Sequence, residues 1–136
     1  DFSLKTIYNK ISEIVGEDIY FEQNNLCKLK PDHFDQLFEN NKIIMTENIR
    51  FYSEEVKADK KFTEKISSFG DLFINECFSG CHRNHSSISG IPKFLPSFPG
   101  KLLEEEILNL KNLILSSDNE INVAVLGGAK VSTKPT

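Results

Sequence analysis

Short, unbroken apolar runs alternate along this chain with stretches of helical periodicity, and that alternation leaves few folds open. The runs fall at residues 19–21, 42–46, 72–74 and 121–126. Between them, Leu4, Ile7, Ile11, Ile14 and Val15 predict a helix over 3–15 stopped by Gly16. Phe34, Leu37 and Phe38, behind Pro31, predict a second helix that runs to about Glu39. Phe62, Ile66 and Phe69 predict a third, capped by Asp59 and ended by Gly70. The clearest helix spans 101–116: Leu103, Ile107, Leu110 and Ile114 line one face, and Leu102, Leu108, Leu113 and Leu115 widen it. An apolar surface that broad should be covered on more than one side. Strands buried on both faces read as continuous apolar runs, so the expected fold is α/β, a three-layer, doubly wound parallel sheet. Residues 78–99, where Gly, Ser and Pro are frequent, read as loop with short helical pieces.

Charge narrows the function classes. Sixteen Lys and Arg stand against twenty Asp and Glu, a net charge of −4 over 136 residues. That balance disfavours a surface built to coat nucleic acid or an anionic membrane, but it permits a local cationic site. The apolar runs are too short to cross a bilayer. Three cysteines without a secretory signal read as reduced thiols of a cytoplasmic protein. The aromatics are eleven Phe and three Tyr, with no Trp; Phe lacks a polar handle, so most should pack in the core and not stack on bases.

Three segments could carry chemistry. Thr46-Glu47-Asn48-Ile49-Arg50-Phe51 follows an apolar run directly. Ligands of open α/β sheets gather at the carboxyl ends of strands, so Arg50 is placed either to meet an anion or to pair with Glu54 or Glu55. Cys77 to His85 brings four possible metal ligands into nine residues: Cys77, Cys81, His82 and His85. Their spacing does not match the separated ligand couples of a structural zinc site. The other readings are an anion pocket, with Arg83 forking onto a phosphate or carboxylate, and a plain solvated loop. In the third segment an apolar run delivers the chain to Gly127, Gly128, Ala129 and Lys130, with Lys134 beyond. Adjacent glycines admit phosphate oxygens close to the backbone, although the spacing is not that of a Walker A loop and a tight turn would explain them equally.

In order and in detail these segments resemble the phosphoglycerate kinase family. Glu47-Asn48-Ile49-Arg50-Phe51 with Glu54-Glu55 resembles its E-N-[LV]-R-F…E-E element. Asn75 to His85 resembles N-D-A-F-G-T-A-H-R-A-H, Gly90 to Pro96 resembles G-I-A-K-F-L-P, and Leu126 to Ser132 with Lys134 resembles L-G-G-A-K-V-S-x-K. The likeness covers essentially the whole chain. It implies a Rossmann-like slice of a two-domain kinase that moves phosphate between 1,3-bisphosphoglycerate and ADP, giving 3-phosphoglycerate and ATP. Arg50, Arg83, His82 and His85 would bind 3-phosphoglycerate, Lys130 would approach the transferred phosphoryl group, and Gly127, Gly128, Ala129 and Lys134 would face the nucleotide. Residues 1–100 would belong to the substrate domain, 101–116 to the interdomain helix, and 117–136 to the start of the nucleotide domain.

The family's R-x-D-x-N-x-P and S-H-L-G-R-P elements do not precede Asp1, and its G-G-G-D element, which handles phosphates and magnesium, does not precede Thr136. The chain therefore reads as a central portion of such an enzyme, inactive by itself, with the magnesium site outside it. The intact enzyme is expected to be a cytoplasmic monomer of glycolysis, with no nucleic-acid or membrane partner. A non-catalytic anion- or zinc-binding module that keeps the fold is the alternative.

Overall fold

The computed structural model describes residues 2–115 and 123. Helices and parallel strands alternate as the sequence pattern requires. A 3-10 turn at Leu4–Thr6 leads into helix α1 (Tyr8–Val15), which ends where Gly16 adopts φ 73° and returns its N–H to Ser12. Strand β1 (Ile19–Glu22) follows, then helix α2 (His33–Phe38) and strand β2 (Ile43–Thr46). Helices α3 (Ser53–Val56) and α4 (Lys60–Ser67) precede strand β3 (Phe73–Asn75). Short helical pieces at 78–93 then give way to strand β4 (Ser97–Pro99) and the long helix α5 (Lys101–Ile114).

The strands pair in parallel, as expected, but as two separate couples. Ile19 to Glu22 register against Ile43 to Thr46, and Phe73 to Asn75 against Ser97 to Pro99. Both pairings are carried past the strand ends: Glu47 donates its N–H to the Glu22 carbonyl at 3.2 Å, and Gly100 donates to Asn75 at 2.8 Å. These bonds fix where the chain leaves each sheet, which is where the site is built. Strand β4 escapes a sequence reading because it is only Ser-Phe-Pro, and proline cannot donate to a ladder.

The core is one cluster of Leu26, Phe34, Phe62, Ile66 and Ile91, with Ile44, Ile49, Tyr52, Phe69 and Phe73 among the side chains packed on it. Aromatic pairs fill it, Phe34 against Phe69 at 4.7 Å and Tyr52 against Phe62 at 5.2 Å between ring centroids. The Tyr52 hydroxyl also accepts the Leu26 N–H at 2.9 Å, so its polar end is satisfied inside the cluster.

Three expectations need correction. Asp59 does cap α4, accepting the Phe62 N–H at 2.9 Å, but the helix stops at Ser67 and Gly70 takes no left-handed C-cap conformation. Only part of the phenylalanine set is core: Phe2, Phe38, Phe51, Phe94 and Phe98 are exposed, several of them at element ends or on the thinly covered β4. Helix α5 is not covered on two sides by the described residues. Leu103 alone is buried, while Leu102, Ile107, Leu108, Leu110, Leu113 and Ile114 are exposed. The strand expected at 121–126 lies outside the described residues apart from Val123.

Candidate functional site

A cleft of about 390 Å³ opens where the chain leaves β2 and β3. This is the carboxyl end of parallel strands, the position that open α/β sheets offer to ligands. Three turns form its wall, and each is locked by side chains that the sequence places beside a cation.

The first turn carries Arg50. Glu47 anchors it, accepting from Ser3 Oγ at 2.6 Å, Leu4 N at 2.8 Å and Asn48 N at 2.7 Å. Those donors hold the Glu47 carboxyl below its ordinary range, the Ser3 hydroxyl most strongly. Asn48 then folds its Oδ1 back onto the Arg50 N–H at 3.0 Å and caps the 3-10 turn Ile49–Phe51. The Arg50 guanidinium is left exposed on the cleft wall. It makes no ion pair among the described residues, so the pairing with Glu54 or Glu55 is not what the structure holds.

The second turn carries Arg83. Asn75 repeats the device, its Oδ1 accepting the Cys77 N–H at 2.9 Å. The 3-10 turn Phe78–Gly80 follows, and Arg83 donates its own N–H to Gly80 at 2.9 Å. Glu76 points the other way. Its Oε2 accepts the N–H groups of Leu102 at 3.0 Å and Leu103 at 3.1 Å, capping α5.

The third turn carries His85 and rests on Glu55, which is 1% exposed. The Glu55 carboxylate accepts Ser87 N at 3.0 Å and Ser87 Oγ at 2.5 Å, and His85 Nδ1 lies 3.7 Å from Oε1. Sequence reasoning treated Glu55 only as a possible partner of Arg50. Its burial behind a loop 32 positions away was not visible in local pattern.

The cleft thus joins Arg50, Arg83 and His85. His82 is exposed and is not part of the lining. Lys130, Lys134, Gly127, Gly128 and Ala129 lie outside the described residues. Both carboxylates that border the cleft are committed, Glu55 to Ser87 and Glu76 to α5, so they do not suit a magnesium ion. Cys77, Cys81, His82 and His85 do not converge either: among the described residues no three His, Cys, Asp or Glu side chains gather as a metal requires. What is chemically available is two guanidinium groups and an imidazole facing solvent-accessible space, an arrangement suited to a phosphate or carboxylate.

Fold and site define an α/β protein with an anion-facing cleft at the carboxyl ends of parallel strands. The family model for phosphoglycerate kinase matches residues 1–136, and the chain belongs to the phosphoglycerate kinase family. A phosphoglycerate kinase from Borrelia garinii is 36% identical over 133 residues, covering 98% of this chain and 33% of that protein. One from Coprothermobacter proteolyticus is 38% identical over 122 residues, covering 90% and 28%. The chain spans about a third of the length of the curated relatives it matches. The fold is also that of solved structures of phosphoglycerate kinase from Pyrococcus horikoshii (TM-score 0.73, 24% identity, 86% of this chain and 30% of that one) and Coxiella burnetii (TM-score 0.70, 18% identity, 86% and 28%).

Proposed function

We propose that this chain contributes the 3-phosphoglycerate site of a kinase that transfers phosphate reversibly between 1,3-bisphosphoglycerate and ADP, giving 3-phosphoglycerate and ATP. The observation that carries the reading is the pair of arginines with no ion-pair partner among the described residues, held by separate locked turns on one cleft wall. A substrate with a phosphate at one end and a carboxylate at the other needs two such forks, and Arg50 and Arg83 supply them. His85 adds a donor inside the cleft, and His82, outside the lining, stands next to Arg83 in the chain. Phosphoryl transfer asks a protein chiefly to position its reactants and neutralise oxygen charge, and prelocked cations do both.

In this reading residues 1–100 bind substrate, 101–116 form the interdomain helix, and 117–136 open the nucleotide domain. Lys130 meets the phosphoryl group in flight, while Gly127, Gly128, Ala129 and Lys134 approach the nucleotide phosphates. Magnesium is held elsewhere. The working enzyme is a cytoplasmic, glycolytic, ATP-binding monomer.

Calorimetric titration with 3-phosphoglycerate tests the site directly. Saturable binding that R50A and R83A each weaken is expected; heat of dilution alone, from a chain whose circular dichroism is that of a folded α/β protein, refutes the reading. A coupled ATP-forming assay should show no turnover by the chain itself.

A further inference from the structure

Cys77 and Cys81 stand at the two ends of the turn that carries Arg83, and the binding reading uses neither thiol. Both are exposed and free. The Cys81 thiol donates to the Cys77 carbonyl oxygen at 3.2 Å, and the Asn75 amide donates to Cys81 Sγ at 3.5 Å, so the Cys81 sulfur is held over the turn. Cys77 borders the cleft, and its sulfur lies so close to Gly80 that a Cβ there would come within 2.8 Å of it. One short turn separates the two thiols, and Arg83 is tied to that same turn through Gly80.

We propose that Cys77 and Cys81 form a dithiol–disulfide pair, oxidised by a small-molecule disulfide such as glutathione disulfide, and that closing the bond draws Arg83 away from the cleft. Cys77 reacts first because it borders the cleft beside Arg50 and Arg83, whose charge attracts an anionic peptide. Its thiolate, after losing the proton to solvent, attacks one sulfur of glutathione disulfide. That S–S bond breaks, and the first glutathione leaves as a thiolate and takes up a proton. The Cys81 thiolate then attacks the Cys77 sulfur of the mixed disulfide and releases the second glutathione. Two protein thiols are oxidised and one glutathione disulfide is reduced to two thiols. The new bond pulls the Cys77 sulfur off Gly80 and tightens the turn from which Arg83 is hung. Cys27 takes no part: it lies in a separate pocket beside Glu54 and Lys65, where burial and the Glu54 charge push its thiol upward.

The consequence for binding rests on the proposed function, whereas the thiol chemistry does not. The full chain is titrated with glutathione disulfide and followed by intact mass, peptide mapping and calorimetry with 3-phosphoglycerate. The expected result is loss of two hydrogens, a mapped Cys77–Cys81 crosslink, and affinity about tenfold lower, as for loss of a charge-assisted contact. Dithiothreitol should restore both. The C81S variant should instead keep a single glutathione on Cys77. Separate adducts persisting on both cysteines of the wild-type chain overturn the proposal, as do two thiols left free, or a crosslink that leaves affinity unchanged. A reduced chain that ignores 3-phosphoglycerate refutes the proposed function, and the mapped crosslink then decides the thiol pair by itself.

Discussion

The carboxylate of Glu76 fills the space a side chain on Gly100 would need: a Cβ built there falls 2.1 Å from both Cδ and Oε1. The close approach is what lets one carboxylate oxygen reach two amides of the first turn of α5. G100A should therefore expel Glu76 and cost about 1–2 kcal/mol, the ordinary worth of a lost cap, seen as a lower urea midpoint. Because both changes remove the same contact, G100A should cost little more on an E76A background, and a double-mutant cycle that is additive would refute this coupling.

Glu55 is the buried hinge of the third turn. E55A leaves the Ser87 amide and hydroxyl without their acceptor, at a cost of about 2 kcal/mol or more. Chemical denaturation measures that loss. E55D, which keeps the charge but shortens the reach, should recover part of it, and an E55A chain as stable as wild type would remove Glu55 from this role.

Stability should fall on the acid side, through Glu22. Burial pushes its carboxyl up, but the His33 hydrogen bond and the Asn24 donors outweigh burial and leave it below the ordinary 4.5. Protonation therefore favours the unfolded chain: the stabilisation is complete above 4.5 and is lost as pH falls through the lower folded value. The thermal midpoint against pH should show this loss, and H33A should shrink it, since Glu22 Oε2 sits 2.5 Å from His33 Nε2. An unchanged acid limb in H33A would assign the effect to another group.

The two histidines should separate. His85, whose side chain is 12% exposed, lies in the cleft, while His82 is exposed outside its lining. H85A should weaken 3-phosphoglycerate binding by about tenfold or more, as for one lost hydrogen bond to a charged group, and H82A by much less. Calorimetry on both variants checks the order, and equal losses would place His82 within the binding contacts.

How much of this was legible in the sequence depends on the distance over which each contact acts. Asp59 capping Phe62, and the stop at Gly16, are local devices written in consecutive residues, and both appear where the pattern put them. Arg50 could be singled out because a cation just after an apolar run has a reason to be there, and Arg83 because it sits among the cysteines and histidines of 77–85; both line the one cleft. Glu55 and Glu76 could not. Their partners, Ser87 and Leu102, lie 32 and 26 positions away, and a carboxylate in a polar run looks solvated until the fold supplies what buries it. Strand β4 was missed for a related cause: three residues ending in proline carry no periodicity, and only pairing with β3 makes them a strand.

Asn48 and Asn75 play equivalent parts, one two residues past β2 and the other the last residue of β3, each clasping the amide two residues on. Neither needs to touch a ligand to govern how tightly one is held. The entropy of ordering the arginine turns is spent while the chain folds, so an anion arriving later meets loops that are already still. Replacing either asparagine would defer that ordering to the moment of encounter, and affinity would weaken through the backbone it holds and not through any bond of its own to the anion.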